Sequence, residues 1–321
     1  MNCKSIFLTL ALSITAYAPT FAQIQRLEKE TEECFNFLIS SDNGRNGYYK
    51  QKTIAETMGK LAETVDVEFM VGVGDIHHFG GVESTADPLW MTNFETIYSH
   101  PELMIDWYSV LGNHEYRGNT EAVLDYCNVS RRWRQEARYY TQLHELDGGQ
   151  TLRLIYLDTS PLISKYRKDK AKYKDASSQD MQAQITWLEK VLKDNKATWT
   201  VAFGHHPIYA HTTKKQSERL DMQRSIDPLL IQYNVDFYIC GHIHNFQHIR
   251  SPKSTIDYVV NSSASLSREV HTTDEANPAN GLRFGSGEAG FTLFSTGGNS
   301  ATLYLLDGDA NILHTVKREK K

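Results

Sequence analysis

The chain has 321 residues, with 34 Lys and Arg against 39 Asp and Glu, a formal charge of −5; 40% of its residues are hydrophobic and 23% charged. That balance excludes a disordered, collagen-like or low-complexity chain. Weak acidity also argues against a nucleic-acid scaffold, which usually carries a basic stripe.

The first predicted element is a leader. Lys4 precedes an apolar run from Ile6 to Ala18, followed by Thr20-Phe21-Ala22. Charge, apolar run and small-residue site stand in secretory order, and the run is shorter than the ~20 residues that a membrane span needs. The reading is a signal peptide over 1–22, cleaved after Ala22. Residues 23–321 are then one domain, secreted or periplasmic, with no further membrane-length run.

Strand-like apolar runs follow at Cys34–Ser40, Glu68–Val73, Asp106–Leu111, Leu152–Leu157, Trp199–Phe203, Asp236–Cys240 and Asp257–Val260. Helical spacing lies between them. Ile54, Met58, Leu61 and Val65 share a face, as do Met181, Ile185, Leu188 and Leu192, and Ile226–Tyr233 is a shorter candidate. Lys165–Asp180 reads as a polar surface loop, and Ser267–Ala279 as a second irregular stretch. Gly290–Ser295 and Ala301–Leu306 alternate as antiparallel strands do, which suggests a second sheet packed on the first. Strand–helix alternation makes the core α/β. Cys34, Cys127 and Cys240 match neither a zinc site nor a dense disulfide framework. Cys34 and Cys240 read as small core residues, and nothing supports a Cys34–Cys127 bond.

Five of the strand-like runs end alike. They lead into Ser41-Asp42-Asn43-Gly44, Gly74-Asp75-Ile76-His77-His78, Gly112-Asn113-His114-Glu115, Gly204-His205-His206-Pro207 and Gly241-His242-Ile243-His244-Asn245. In open α/β sheets, function gathers at the carboxyl ends of the strands. If these five share one sheet, their tips bring two Asp, one Asn and up to seven His together. Carboxylates and imidazoles without thiolates suit transition metals and not a structural zinc. Each motif alone is usually a plain turn; the ordered set is the signal.

This ordered set resembles the metallophosphoesterase signature, and within it the purple acid phosphatases, most nearly the small animal-type tartrate-resistant enzymes. Phe79-Gly80-Gly81-Val82, Gly118-Asn119, Arg132-Trp133, Leu157-Asp158-Thr159, Trp187-Leu188 and Tyr238-Ile239-Cys240 extend the similarity across roughly Phe35 to Lys317. The resemblance implies a four-layer α/β/β/α sandwich: two packed mixed sheets with helices outside.

It also implies a binuclear site. Asp42, Asp75, His78 and His244 would hold the first metal ion, and Asp75, Asn113, His205 and His242 the second, so that Asp75 bridges. His114 would face the substrate. The purple enzymes carry Tyr where this chain has His78, and that phenolate gives them their colour. An imidazole there suits divalent ions, so the expectation is a site that is not purple, holding iron, zinc or another divalent metal as a divalent pair or a labile iron. His77 is the alternative ligand.

The function implied is hydrolysis of small phosphomonoesters by a metal-bound hydroxide, with His114 as general acid and Asn113 stabilising charge. The same centre would also serve a phosphodiesterase or nucleotide hydrolase, and a non-catalytic metal-binding homologue is the third reading. His206, which could orient His205, line the pocket or simply pack, and His211, in a loop that could reach the substrate, are candidate substrate residues. Arg131 and Arg132 could meet a phosphate, but Arg132-Trp133 could equally be a structural pair. Tyr48, Tyr49 and Tyr116 could shape the pocket rim.

Overall fold

The computed structural model describes residues 22–135, 137–214, 216–271 and 281–320. The leader, apart from Ala22, and most of Ser267–Ala279 lie outside the described residues or partly so: 1–21 and 272–280 are not described.

Two sheets form the core. The first has the order β13-β12-β11-β1-β2-β3, the second β10-β8-β9-β7-β6-β5-β4. In the first, β1 (Phe35–Ser40), β2 (Phe69–Gly72) and β3 (Asp106–Ser109) run parallel. The antiparallel meander of β11 (Gly290–Gly297), β12 (Ser300–Asp307) and β13 (Ile312–Glu319) extends it from β1. In the second, β5 (Thr151–Leu157), β6 (Trp199–Gly204), β7 (Phe237–Cys240) and β9 (Asp257–Val260) are parallel. Antiparallel β4 (Tyr140–Glu145) borders β5, and β8 (Phe246–Ile249) pairs with β9 and β10 (Leu282–Ser286).

Side-chain alternation explains the layering. On β1, Phe37 and Ile39 join Val71, Phe203, Ile239 and Phe294 in the cluster between the sheets. Phe37 stacks on Phe69 at 4.9 Å and on Phe294 at 4.6 Å, and meets Phe203 of the other sheet edge-on at 6.2 Å. Leu38 and Met70 face the other way and cluster with Ile54, Met58 and Leu61 of the helix α1 (Gln51–Ala62). Leu188 and Leu192 of α2 (Met181–Asp194) and Leu230 belong to the same outer cluster.

Two expectations are corrected. The C-terminal strands do not build the second sheet; they extend the first, because β11 pairs directly with β1 from Phe35↔Thr296 to Ile39↔Thr292. The five motif-bearing strands do not share one sheet either: β1, β2 and β3 lie in one, β6 and β7 in the other. Lys165–Asp180 is also less loop-like than it reads. It overlaps a helical turn, Ser164–Lys168, and buries Tyr166 and Tyr173. All three described cysteines are free, with Cys240 buried and Cys34 and Cys127 half-buried.

Candidate metal centre

The five motifs meet where the carboxyl ends of the two sheets come together. Their backbone is unusual. Asp42, Asp75, His242 and His244 all sit at positive φ, between 51° and 71°. Non-glycine residues there cost about 1–2 kcal/mol each and are kept where surrounding structure compels them. At Asp42 that structure is visible: Ser263 Oγ and Ser265 Oγ both donate to its carbonyl oxygen at 2.9 Å. The preceding glycines serve close approach as much as turning. A Cβ on Gly112 would lie 2.2 Å from Asp75 Oδ1, and one on Gly74, itself at φ +88°, would lie 2.6 Å from His205 Nδ1.

Asp42, Asp75, His78, Asn113, His205, His242 and His244 are all nearly or wholly buried. Among the described residues, donor atoms lie within 4.8 Å of one another in four sets: Asp42 with His78 and His244, Asp42 with Asp75 and His205, Asp75 with His78 and His114, and His205 with His206 and His242. Asp75 Oδ2 is 3.1 Å from His205 Nε2 and 3.6 Å from His78 Nε2. His244 Nε2 is 3.2 Å from Asp42 Oδ1, and His242 Nδ1 is 3.2 Å from His205 Nε2. His77 points elsewhere, with Nδ1 beside Asn93 and its ring against Trp90.

Three further ring nitrogens are held by backbone carbonyls. His205 Nδ1 donates to Val73 O at 2.9 Å, His244 Nδ1 to Leu266 O at 2.7 Å, and His114 Nδ1 to Phe79 O at 2.8 Å. Such contacts fix the tautomer and leave the opposite nitrogen for the site. His242 differs: its Nε2 meets Glu218 Oε2 at 3.0 Å, leaving Nδ1 toward His205. Asn113 Oδ1 and both ring nitrogens of His78 are buried without a hydrogen-bond partner. An unmatched buried acceptor costs about 1–3 kcal/mol, and a cation would satisfy Asn113 Oδ1 and the one unprotonated nitrogen of the neutral His78 ring. The donor set is oxygen and imidazole nitrogen throughout, and it fits a transition-metal cation.

Electrostatics follow burial and neighbours. Burial pushes His78 well below its usual value, and pushes His114 down to about 4, against the pull of Asp75. Burial would also raise Asp75, but His205 and His114 outweigh it and hold its carboxyl well below normal. The Asp75 carboxylate in turn overcomes burial at His205 and raises it to about 9.

Several polar residues here carry no sequence signal of their own. Glu115 accepts backbone N–H groups from Asp75, His77 and Gly112 at 2.9, 3.1 and 2.7 Å, pinning two motifs together. Burial, then the Asp75 charge, pushes it up to about 7. Only its place directly after His114 hints at this. Glu218 comes from α3 (Gln216–Ser225), a mostly polar helix.

The pocket over the cluster is lined by Asp75, His78, Asn113, His114, His242 and His244, together with Phe79, Tyr166, Tyr173, Glu218 and several cations. The readings of His211 and the three tyrosines are corrected, and for His206 and Arg132 the structure favours one of the alternatives. His211 does not line this pocket; Gln247 clamps its backbone on both sides, at 2.7 and 2.8 Å. His206 lies behind the ligands, fully buried, with Nδ1 2.8 Å from Thr159 Oγ1. Tyr116 is buried with its hydroxyl on Asp158, while Tyr48 and Tyr49 are exposed outside the pocket. Arg132 is structural: it donates to Tyr98 O and Leu103 O and pairs with Glu95.

Comparison with known proteins agrees with this geometry. The model of the calcineurin-like phosphoesterase family matches residues 35–246. Purple acid phosphatase 7 of Arabidopsis thaliana is 29% identical over 99% of this chain and 97% of its own length. Purple acid phosphatase 4 of the same plant is 32% identical over 72% of this chain and 68% of its own length. Tartrate-resistant acid phosphatase type 5 of Mus musculus is 28% identical over 74% of each. Two solved structures share the fold: Plasmodium GAP50, described as the anchor in the inner membrane complex, with TM-score 0.75 at 20% identity over 90% of this chain and 89% of that one, and purple acid phosphatase PPD1 from yellow lupin, with TM-score 0.57 at 15% identity over 89% and 54%. The chain belongs to the calcineurin-like phosphoesterase family, among the purple acid phosphatase homologues, and is a metal-dependent, acid phosphatase-like phosphoesterase.

Proposed function

We propose that this chain hydrolyses small phosphomonoesters at a two-cation centre outside the cytoplasm, as one catalytic domain over residues 23–321 behind a cleaved leader. The observation that carries the reading is the buried meeting of Asp42, Asp75, His78, Asn113, His205, His242 and His244, with Asn113 Oδ1 and the His78 nitrogens unmatched by any hydrogen bond. Asp42, Asp75, His78 and His244 would hold one ion, and Asp75, Asn113, His205 and His242 the other. When bound, such ions, iron, zinc or another divalent metal, supply positive charge for phosphoryl oxygens and acidify water. For localisation, the support is the order of charge, apolar run and small residues over 1–22. No helix among the described residues is long and apolar enough to cross a membrane.

The protein's own groups do the rest. Asn113 offers its carbonyl oxygen to a cation and its amide hydrogens to the phosphoryl group. His114 lines the pocket with Nδ1 tied to Phe79 O, so Nε2 is the atom that hands a proton to the leaving oxygen. With its value lowered to about 4, His114 carries that proton only in acidic solution.

Elemental analysis of the purified protein, with turnover of aryl monoester and aryl diester substrates, tests the reading. His114→Ala should keep its metal and lose turnover by a factor of about 10². Asp75→Ala should lose metal. Diester turnover exceeding monoester turnover would replace the reading by a phosphodiesterase; bound metal with no turnover would replace it by a metal-binding protein.

A further inference from the structure

β5 runs beside β6 to the same edge of the second sheet, with Leu157 opposite Gly204, yet it supplies none of the proposed ligands. The two residues that follow it, Asp158 and Thr159, are buried, and their side chains reach two different ligand-bearing loops. Thr159 Oγ1 lies 2.8 Å from His206 Nδ1 and accepts the His206 backbone N–H at 3.2 Å, on the loop that carries His205. Asp158 Oδ2 accepts the hydroxyl of Tyr116, on the loop that carries Asn113 and His114. This second contact crosses the sandwich, because β5 lies in the second sheet and the His114 loop leaves β3 of the first.

Both ends of the crossing are held. Gln184 of α2 clamps the Asp158 backbone: its Oε1 accepts the Asp158 N–H and its Nε2 donates to Asp158 O, each at 2.9 Å. Arg138 Nη1 donates to the Tyr116 hydroxyl oxygen at 3.0 Å, and Arg138 Nη2 to Thr120 Oγ1 at 2.8 Å. Tyr116 is fully buried within the helical turn Glu115–Arg117, and the Arg117 N–H closes that turn on His114 O at 3.0 Å. A shift of Tyr116 is therefore a shift of His114. Two further anchors of His114 come from loops of the first sheet: its N–H donates to Asp75 Oδ1 and its Nδ1 to Phe79 O, each at 2.8 Å. The Tyr116–Asp158 pair adds the tie to the second sheet, from which His205 and His242 come. Burying a carboxyl is costly, and an apolar pair would fill the same space at less cost. A hydroxyl on a carboxylate supplies what packing does not, a fixed length and direction.

We propose that Asp158 is a positioning residue: through Tyr116 it sets the His114 imidazole at the distance from the leaving oxygen that proton transfer needs. This rests on the phosphatase reading, with His114 as its acid. The proton passes from His114 Nε2 to the ester oxygen as the bond from that oxygen to phosphorus breaks. A general acid contributes about 10²- to 10⁴-fold, and misplacing a reacting group by about 1 Å costs up to about 10²-fold. The loss depends on the leaving group. Phenolate is a strong base and needs the proton as it departs, whereas p-nitrophenolate is a weaker base and leaves with less help.

The test is steady-state kinetics of the metal-loaded full chain at acidic pH with phenyl phosphate and p-nitrophenyl phosphate, for Tyr116→Phe, His114→Ala and the double variant. Tyr116→Phe should lower kcat on phenyl phosphate by about 10-fold, lower it less on p-nitrophenyl phosphate, and leave KM and metal content unchanged. In the His114→Ala background it should cost nothing further, because the group it positions is gone. Asp158→Asn, whose amide oxygen still accepts the hydroxyl, should retain more activity than Asp158→Ala. Unchanged turnover in Tyr116→Phe, an equal loss on both esters, or the same loss again in the His114→Ala background overturns the proposal and leaves the phosphatase reading standing. An unaltered chain that turns over neither ester removes both. If Asp158→Ala fails to fold, Tyr116→Phe, which keeps the buried ring, decides alone.

Discussion

His78 decides the chemistry that single residues can tell apart. Its ring lies against Asp75 and His244, with both nitrogens buried and unmatched. A neutral imidazole replaces the anionic phenolate of the purple enzymes, so a hard trivalent ion loses its strongest partner. Ferric-loaded protein should therefore lack a strong visible charge-transfer band, and His78→Tyr should acquire one; visible absorption spectroscopy decides, and an intense band in the unaltered protein would sink the assignment. Glu218 acts one step back, through His242 Nε2. Glu218→Gln should weaken metal binding by about 10- to 100-fold while the fold survives, measured by competition against a chromophoric chelator. Unchanged affinity would make the contact incidental. The proposed ligands were legible in the sequence because each follows an apolar strand at a glycine or turn residue. Glu218 was not, because its helix has no apolar stripe and its partner lies 24 residues away.

At the level of elements, the strands buried on both faces were legible except β8, and of the edge strands only β3 was. Runs such as FNFLIS in β1 and WTVAFG in β6 are nearly continuous apolar segments. β4, β10 and β13 read YTQLHE, LRFGS and ILHTVKRE, and lie at sheet edges where one face meets solvent. β9 shows how a polar group secures such a sheet. Asp257, at its start, accepts from His248 Nε2, Arg250 Nε and Arg318 Nη1 at 2.8, 2.7 and 3.2 Å. Burial would raise its carboxyl, but the His248 and Arg250 hydrogen bonds outweigh that and hold it below its ordinary value of 3.8. A carboxyl lowered on folding adds stability above its unfolded value and loses it as pH falls through the folded one. Asp257→Asn should thus cost about 2 kcal/mol near neutrality and progressively less below about pH 4. Denaturant melts at pH 7 and pH 3 measure the difference; an equal loss at both would contradict it.

On the scale of the molecule, the centre lies where two separate sheets meet. Asp42, Asp75, His78 and Asn113 follow strands of the first sheet, and His205, His242 and His244 follow strands of the second. Protein contacts already bridge this seam: His242 N–H donates to Asp42 Oδ2 at 2.9 Å, and His205 Nδ1 donates to Val73 O at 2.9 Å. A cation gripped from both sides would add to these and favour only the folded arrangement, since the unfolded chain scatters its ligands from Asp42 to His244. By linkage, one site at a thousandfold its Kd stabilises by about 4 kcal/mol. For a chain of this size, that raises Tm by on the order of 10 °C. Stripping metal with a strong chelator should lower Tm by this amount, and adding back zinc or ferrous iron should restore it. Asp75→Ala, which lacks the ligand shared between the proposed ions, should melt at the same temperature with and without chelator. A metal-loaded and a stripped protein with the same Tm would mean that the cations do not join the sheets, and the seam would have to be held by the protein's own bonds alone.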